Sequence, residues 1–241
     1  NKGYPLLSTK KVFFNSMLHE LFWYLSGEEH IKNLRDKTKI WDAWADEEGL
    51  LETAYGRFWR RYPVPETGLD GEVFIKEDSK WTKREENGQL VFDQIQYIID
   101  TLKEMKIDPN HRNGRRLIVL AWNPGNAAVS KLPPCHYTFA FNVLGSKLNC
   151  HLTQRSGDIA LGIPFNLACY SLLTMMIAKE CGYELGEFAH TIIDAHIYEN
   201  HIDGLKEQLT RIPGELPTVK IADKPFNELK FEDITLENYN P

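Results

Sequence analysis

The sequence predicts an α+β fold in which a mixed β-sheet packs with helices. Helical apolar periodicity recurs in separate parts of the chain, and β-prone runs lie between these parts. Two of the runs flank a Gly-Ser pair suited to a tight hairpin, which indicates partly antiparallel pairing. The 241 residues, 42% of them hydrophobic, can form a sizeable core, so general disorder is excluded.

The charge balance and the cysteines narrow the class of protein. Asp and Glu number 34 against 28 Lys and Arg, so a net charge of -6 argues against general nucleic-acid binding but allows a local basic pocket. No apolar run approaches the length of a bilayer span. The four cysteines show neither a CxxC pair nor zinc-ligand spacing, so we expect small buried side chains in a reducing, cytoplasmic setting.

The first predicted element is a helix over residues 12–25. Its apolar residues occupy nearly every side, which is typical of a buried helix. Glu20 therefore lies among large apolar neighbours, and burial is expected to raise its pKa. A solvent-reaching or structurally paired Glu20 is an equally weighted alternative.

The next elements alternate between aromatic, polar and helical character. Residues 40–59 are rich in Trp and Tyr, whose usual role is core packing. Residues 63–89 are polar and contain three glycines, which predicts a surface insertion. A helix over residues 92–105 follows and ends at the Asp-Pro-Asn sequence that begins at Asp108.

The remaining elements are predicted as strands and two more helices. The hairpin pair is expected to turn at Gly145-Ser146 with type II′ geometry. The strands are expected over residues 116–122, 136–144, 147–154, 188–193 and 219–221, and the helices over residues 167–181 and 198–211. The pattern favours one domain over residues 1–241.

The chemistry centres on Cys135, which follows Pro133-Pro134 at the expected start of a strand. Arg155 lies ten residues beyond the hairpin turn and Cys135 ten before it, so an antiparallel hairpin makes them neighbours. A fixed positive charge lowers the pKa of a thiol, and Arg with Ser156 is suited to bind an anion. These residues predict a cysteine nucleophile beside a phosphate or carboxylate.

Several other motifs allow a functional or a structural interpretation. Arg115-Arg116 adds positive charge, although such a pair is usually a solvated turn. Asn166 is a candidate helix cap, and on the structural interpretation capping is its whole role. His196 and Tyr198 are ordinary hydrogen-bonding residues unless other motifs place them at a site. A cysteine hydrolase would need a base for Cys135, and His136 on the same strand would point to the opposite face.

Taken together, these motifs resemble the signature blocks of the folate-dependent thymidylate synthases. The blocks are Pro133-Pro134-Cys135-His136, residues 154–158, residues 161–166 and residues 194–198, and His19-Glu20-Leu21, Ile40-Trp41-Asp42, Tyr55-Gly56 and Arg115-Arg116 follow the family's order. The resemblance covers essentially the whole chain. It implies a sheet-mediated homodimer that uses dUMP and 5,10-methylenetetrahydrofolate to make dTMP and dihydrofolate, with no metal, no membrane and no need for nucleic acid.

The resemblance also implies a role for each matched residue. Cys135 would add to C6 of uracil, Glu20 would move protons near O4, Tyr55 would order the water that removes the C5 proton, and Asp158 would contact the pterin. The dUMP ligands implied are Gln154, Arg155, Ser156, Asn166, His196 and Tyr198, with Arg115 and Arg116 from the partner subunit. The folate ligands implied are Trp41, Trp44, Asp158, Gly162 and Phe165.

The chain departs from the family pattern at Phe58, Thr153 and Ile193, which affects packing more than chemistry. The family's N-terminal segment and C-terminal tail are expected to be missing from this sequence. The nearest alternative is a dUMP hydroxymethylase, in which water rather than hydride traps the methylene. A binding protein without catalysis is a further alternative.

Overall fold

The computed structural model describes residues 3–64, 82–84, 88 and 90–241, and for 82–84 the backbone only. The helices are α1 (Phe14–Ser26), α2 (Lys32–Arg35), α3 (Tyr55–Arg60), α4 (Gln94–Ile107), α5 (Pro124–Val129), α6 (Gly162–Cys181) and α7 (Ile202–Leu209). The strands are β1 (Tyr62–Pro63), β2 (Thr82–Arg84), β3 (Leu90–Phe92), β4 (Ile118–Leu120), β5 (Thr138–Leu144), β6 (Lys147–Asp158), β7 (Glu184–His196), β8 (Thr218–Ile221) and β9 (Ile234–Glu237). Helices and mixed strand pairings confirm the α+β class.

The chain forms two compact units. Unit 1 comprises residues 1–22 and 141–241, and unit 2 comprises residues 23–140. Unit 1 therefore brings the two ends of the chain together. No helix within the described ranges is both long enough and apolar enough to cross a bilayer.

In unit 2, α4 is fixed to its neighbours by polar groups at its start. Asp93 caps the helix by accepting from the Gln96 N–H at 2.9 Å, and it pairs with Arg60 at 3.2 Å. The buried Gln94 amide donates to the carbonyls of Phe58 and Leu120, both at 2.7 Å. Strands β1 and β2 flank β3, and β4 pairs with β5, in each case antiparallel.

In unit 1, β6 and β7 pair in parallel, from Lys147 opposite Glu184 to Asp158 opposite His196. Apolar residues of α6 pack in the core beside this pair. The helix ends in a Schellman arrangement, because the Tyr183 N–H bonds the Ala178 carbonyl at 2.8 Å. Strands β8 and β9 form a separate antiparallel pair.

The hairpin turn is as predicted at its first position. Gly145 has a φ of 64°, the positive value that a type II′ turn requires there. The predicted strand that starts at His136 is two residues too long, because β5 begins at Thr138. His136 lies in the bend before the strand, so the argument from strand alternation does not apply to it.

Other predicted boundaries also need correction. The helix predicted from residue 167 begins at Gly162, so Asn166 lies inside α6 and does not cap it. Pro164 is compatible with this early start, because first-turn N–H groups have no partner within the helix. The helix predicted from Phe92 begins at Gln94, and Phe92 ends β3.

The remaining differences are in length. The strand predicted over residues 116–122 is confined to β4, and that predicted over 188–193 extends over the whole of β7. The last predicted helix is reduced to α7, after a 3-10 turn at Glu199–His201. Strands β1 and β2 fall in or beside the predicted insertion, residues 63–89, of which residues 65–81, 85–87 and 89 lie outside the described residues.

Candidate active site

Cys135 lies in a bend that contacts with Tyr55 and Pro133 hold in place. The Cys135 N–H donates to the Tyr55 hydroxyl at 2.7 Å, and the thiol contacts the Pro133 carbonyl at 3.9 Å. All four cysteines lie in described parts of the chain, and Cys135 is the one that is not buried. The bond to Tyr55 fixes the backbone at Cys135 and leaves the thiol partly accessible.

Tyr55 connects this bend to a buried aromatic cluster in unit 2. Its ring stacks on His136, with centroids 3.8 Å apart and planes 3° from parallel. Trp41 meets the Tyr55 ring edge-on at 5.9 Å, and Tyr24 packs against it at 5.3 Å. The cluster explains why Tyr55, the first residue of α3, holds one position for its hydroxyl.

The two predicted folate-side tryptophans have different environments. Trp41 is buried, as expected of core packing, whereas Trp44 is 41% exposed and is not a core residue. Trp44 lines a cleft of about 140 Å³ together with Leu51, Val129 and Leu132. An exposed indole beside apolar side chains presents a surface that a flat aromatic ligand can cover.

Arg115 and Arg116 lie at the end of a 3-10 turn, Arg112–Arg115, and both are exposed. Arg116 donates to the Asn113 side-chain carbonyl at 3.2 Å. The guanidinium groups are therefore accessible from outside unit 2, which agrees with either an anion-binding role or a solvated turn.

In unit 1, Gln154 and Asn166 are brought together by a hydrogen bond. Gln154 is 2% exposed and donates from Nε2 to Asn166 Oδ1 and to the Ser156 carbonyl, both at 3.0 Å. His190 reaches the remaining Gln154 atom, Oε1, through Nε2 at 2.9 Å. Asn166 thus has a polar role in place of the predicted cap.

The other residues of the unit 1 set lie around the ends of β6 and β7. Asp158 accepts from the Ala160 N–H at 2.9 Å and has His201 Nδ1 3.8 Å away. His196 meets the Tyr198 ring edge-on at 5.2 Å, and Tyr198 is exposed. Arg155, Ser156, Gly162 and Phe165 are all half-buried. These side chains are accessible to a ligand without being free in solvent.

Glu20 is buried on α1, with 8% of its surface exposed, which agrees with the predicted burial and excludes the solvent-reaching alternative. The structurally paired alternative stays open. Burial raises the pKa of the Cys169 thiol well above its usual value, and the Glu20 charge adds to this. Cys169 is therefore a protonated, structural thiol. The raised pKa of Glu20 itself stays a prediction.

Two histidines were not anticipated as partners of the site. His190 was part of a strand pattern, and His201 part of a helix pattern, and neither pattern identifies a contact with Gln154 or Asp158. Only the parallel register of β6 and β7, which sets Leu152 opposite His190, brings the first of them near Gln154. In the described part of the chain, no group of three or more His, Cys, Asp or Glu side chains has a metal-binding arrangement.

Comparison with known proteins decides the family. The family model described as thymidylate synthase matches residues 1–241. The chain belongs to the thymidylate synthase family. It is 47% identical, over an alignment of 293 residues, to the thymidylate synthase of Haloferax volcanii, and the alignment covers 100% of this chain and 83% of that protein.

Family membership confirms the reaction predicted from the motifs. The thymidylate synthase reaction is the methylation of dUMP to dTMP, with 5,10-methylenetetrahydrofolate as co-substrate, and the enzyme is a methyltransferase. The hydroxymethylase alternative is not favoured, since both findings name the synthase.

Proposed function

We propose that this chain catalyses the reductive methylation of dUMP with Cys135 as its nucleophile, as a homodimer whose single domain spans residues 1–241. The observation that supports Cys135 most strongly is its accessibility. Burial raises the pKa of Cys150 to about 12, and Cys169 is shielded in the same way. A nucleophilic thiol must reach the substrate as a thiolate, and those two side chains do not meet that requirement.

The proposed reaction begins and ends with the Cys135 thiolate. The Cys135 thiolate adds to C6 of uracil, which moves the C5–C6 electron pair toward O4 and makes C5 a nucleophile. C5 attacks the methylene carbon of the folate co-substrate, and loss of the C5 proton then expels the folate nitrogen and leaves an exocyclic methylene on C5. The departing tetrahydrofolate transfers hydride to this methylene, the C5–C6 double bond re-forms and the Cys135 thiolate leaves, which gives dTMP and dihydrofolate.

Residues of this chain are proposed to transfer the protons and to bind the phosphate of dUMP. Glu20, buried on α1, is proposed to exchange a proton at O4 through water, because a buried carboxyl holds its proton closer to neutral pH. Tyr55 is proposed to order the water that takes the C5 proton. Arg155 and Ser156 are proposed to bind the phosphate, because a guanidinium and a hydroxyl are suited to it.

The base and sugar have their own proposed ligands. The Asn166 amide would contact the O4 and N3 edge of uracil, with Gln154 behind it. His196 and Tyr198 would bind the 3′-hydroxyl, and their edge-on contact at 5.2 Å holds the two rings together.

The residues proposed for the folate site are suited to bind the folate co-substrate. Exposed Trp44 and the cleft beside it, which has both apolar and charged side chains, suit an aromatic ring that carries polar groups. Buried Trp41 is proposed to line the folate side as well. Asp158, Gly162 and Phe165 are proposed to contact the pterin. Bulky indoles would also keep water from the methylene group, which favours hydride transfer over hydroxymethylation.

The dimer is proposed to form through one face of β6 and β7. Alternate residues of β7 are exposed, namely Ala189, Thr191 and Ile193, and Ile193 is 68% exposed. On β6, exposed His151 lies opposite Ala189. An apolar side chain exposed on a strand pair is a suitable contact for a second copy of the chain. Sedimentation of the wild type and of Ile193→Asp tests this, since the substitution is expected to give monomers.

Partner sharing of Arg115 and Arg116 has a separate test. A Cys135→Ser protein and an Arg115→Ala/Arg116→Ala protein should each be inactive. If the arginines act across the interface, mixed dimers regain activity at the site that has Cys135 and receives the partner's intact arginines. If they act within their own subunit, mixing restores nothing.

Cytoplasmic location is proposed as well, in line with four cysteines that are not joined in disulfide bonds.

The activity test is spectroscopic. Incubation with dUMP and methylenetetrahydrofolate is expected to raise the absorbance of dihydrofolate in step with dTMP. Formation of hydroxymethyl-dUMP without dihydrofolate would overturn the synthase assignment.

A further inference from the structure

A hydrogen-bonded chain in unit 1 runs from His190 through Gln154 to Asn166. His190 Nε2 lies 2.9 Å from Gln154 Oε1, and Gln154 Nε2 lies 3.0 Å from Asn166 Oδ1. Gln154 is almost fully buried, so its amide has no solvent partner to exchange for these contacts.

The direction of each bond in this chain follows from one fixed acceptor. The Ser156 carbonyl, 3.0 Å from Gln154 Nε2, can only accept, so the Gln154 nitrogen must face it. The same nitrogen donates its second hydrogen to Asn166 Oδ1. Gln154 Oε1 therefore faces His190, and His190 must supply an N–H from Nε2.

His190 can supply that hydrogen as a neutral ring. Burial lowers the pKa of His190 from 6.5, and nearby His151 lowers it further. A neutral imidazole has one N–H, so the ring is the Nε2–H tautomer. His151 itself bonds Thr191 at 2.8 Å and takes no part in the chain.

We propose that His190 is a positioning residue for base selection, which through Gln154 holds the Asn166 amide with Oδ1 occupied and Nδ2 turned to the substrate. The inference rests on the proposed role of Asn166 at the base. An amide nitrogen presented in this way pairs with a carbonyl oxygen at position 4 of a pyrimidine, and it meets the amino group of cytosine donor to donor. His190 thus favours dUMP over dCMP without touching either.

His190 makes the reversed arrangement of the Gln154 and Asn166 amides unfavourable. If both amides were turned over, Gln154 Nε2 would face the His190 N–H, and the Ser156 carbonyl would lose its donor. Removal of the His190 donor leaves Gln154 Oε1 buried without its bond and reduces the penalty on the turned state.

The test compares dissociation constants for dUMP and dCMP by calorimetry, without folate. His190→Phe keeps a ring of similar size but removes the donor, and His190→Gln restores an N–H. We expect the preference for dUMP to fall about tenfold in His190→Phe, the worth of roughly one neutral hydrogen bond, and to recover in His190→Gln. His30→Phe, at a half-buried histidine of unit 2 outside the proposed site, is the matched control and should keep the wild-type preference.

An unchanged dUMP-to-dCMP ratio in folded His190→Phe would overturn the inference. If that variant does not fold, nitrogen NMR of wild-type His190 decides: the Nε2–H tautomer is expected, and the Nδ1–H tautomer contradicts the proposed role of His190. Wild-type protein that binds dUMP selectively but never converts it would overturn the proposed function and support the role of His190 in base selection. Absence of dUMP binding would overturn both.

Discussion

At the scale of single residues, the sequence motifs identified candidate site residues better than they predicted the hydrogen bonds of those residues. Cys135 was found from its Pro-Pro approach, but its bond to the Tyr55 hydroxyl joins residues 80 positions apart and has no local signal. Asn166 was misjudged because a polar residue after Pro looks like a cap. Its bond to Gln154 depends on two elements whose packing no periodicity encodes.

The thiol environments predict selective alkylation. At pH 8, iodoacetamide should modify Cys135 in the native protein and leave Cys150 and Cys169 unmodified, since both are buried with strongly raised pKa values. Peptide mass mapping measures the labelling. Equal labelling of Cys150 and Cys135 in folded protein would contradict the assigned environments.

The His190 environment predicts a pH dependence of stability. Its pKa is lowered in the folded state, so below about pH 6.5 the unfolded chain binds more protons than the folded one. This contribution to stability is present above that pH and is lost as the pH falls. Thermal unfolding of His190→Gln should show a smaller drop from pH 7.5 to 5.5 than the wild type. An equal drop would show that His190 does not contribute.

At the scale of elements, strong periodicity located the long helices to within a few residues. Helix α4 is shifted by two residues from the prediction, and α6 starts five residues early. Strand β7 was underestimated because its exposed alternate residues dilute the apolar signal. The short β4 was overestimated, since the ladder with β5 covers only Ile118–Leu120 and continues beyond it with a single bond from the Ala121 N–H to the Tyr137 carbonyl at 2.8 Å.

Two helix glycines predict opposite effects of alanine. Gly182 follows α6 with a φ of 69°, so Gly182→Ala is expected to lower stability by about 1 kcal/mol. Gly204 lies within α7 with nothing within 4 Å of an added Cβ, so Gly204→Ala should raise stability by up to about 1 kcal/mol. Urea unfolding of both variants measures the difference, and a common sign would contradict the helix-end assignment.

At the scale of the whole molecule, the ordered set of motifs gave more information about function than any composition value. A net charge of -6 does not indicate an anionic substrate, whereas the family motifs predict that Arg115, Arg116 and Arg155 bind one. The division into two units was not predictable, because unit 1 combines residues 1–22 with residues 141–241. Local patterns contain no information on such long-range pairing.

Thymidylate synthesis by this chain is proposed to depend on the Cys135 thiol as its nucleophile. The most direct measurement is the release of tritium from C5 of labelled dUMP, with dTMP measured in parallel, for wild type, Cys135→Ser and the control Cys181→Ala. We expect tritium release equal to dTMP formation in wild type and control, and a loss of at least about a thousandfold in Cys135→Ser. Cys135→Ser activity within a few-fold of the control would contradict this expectation.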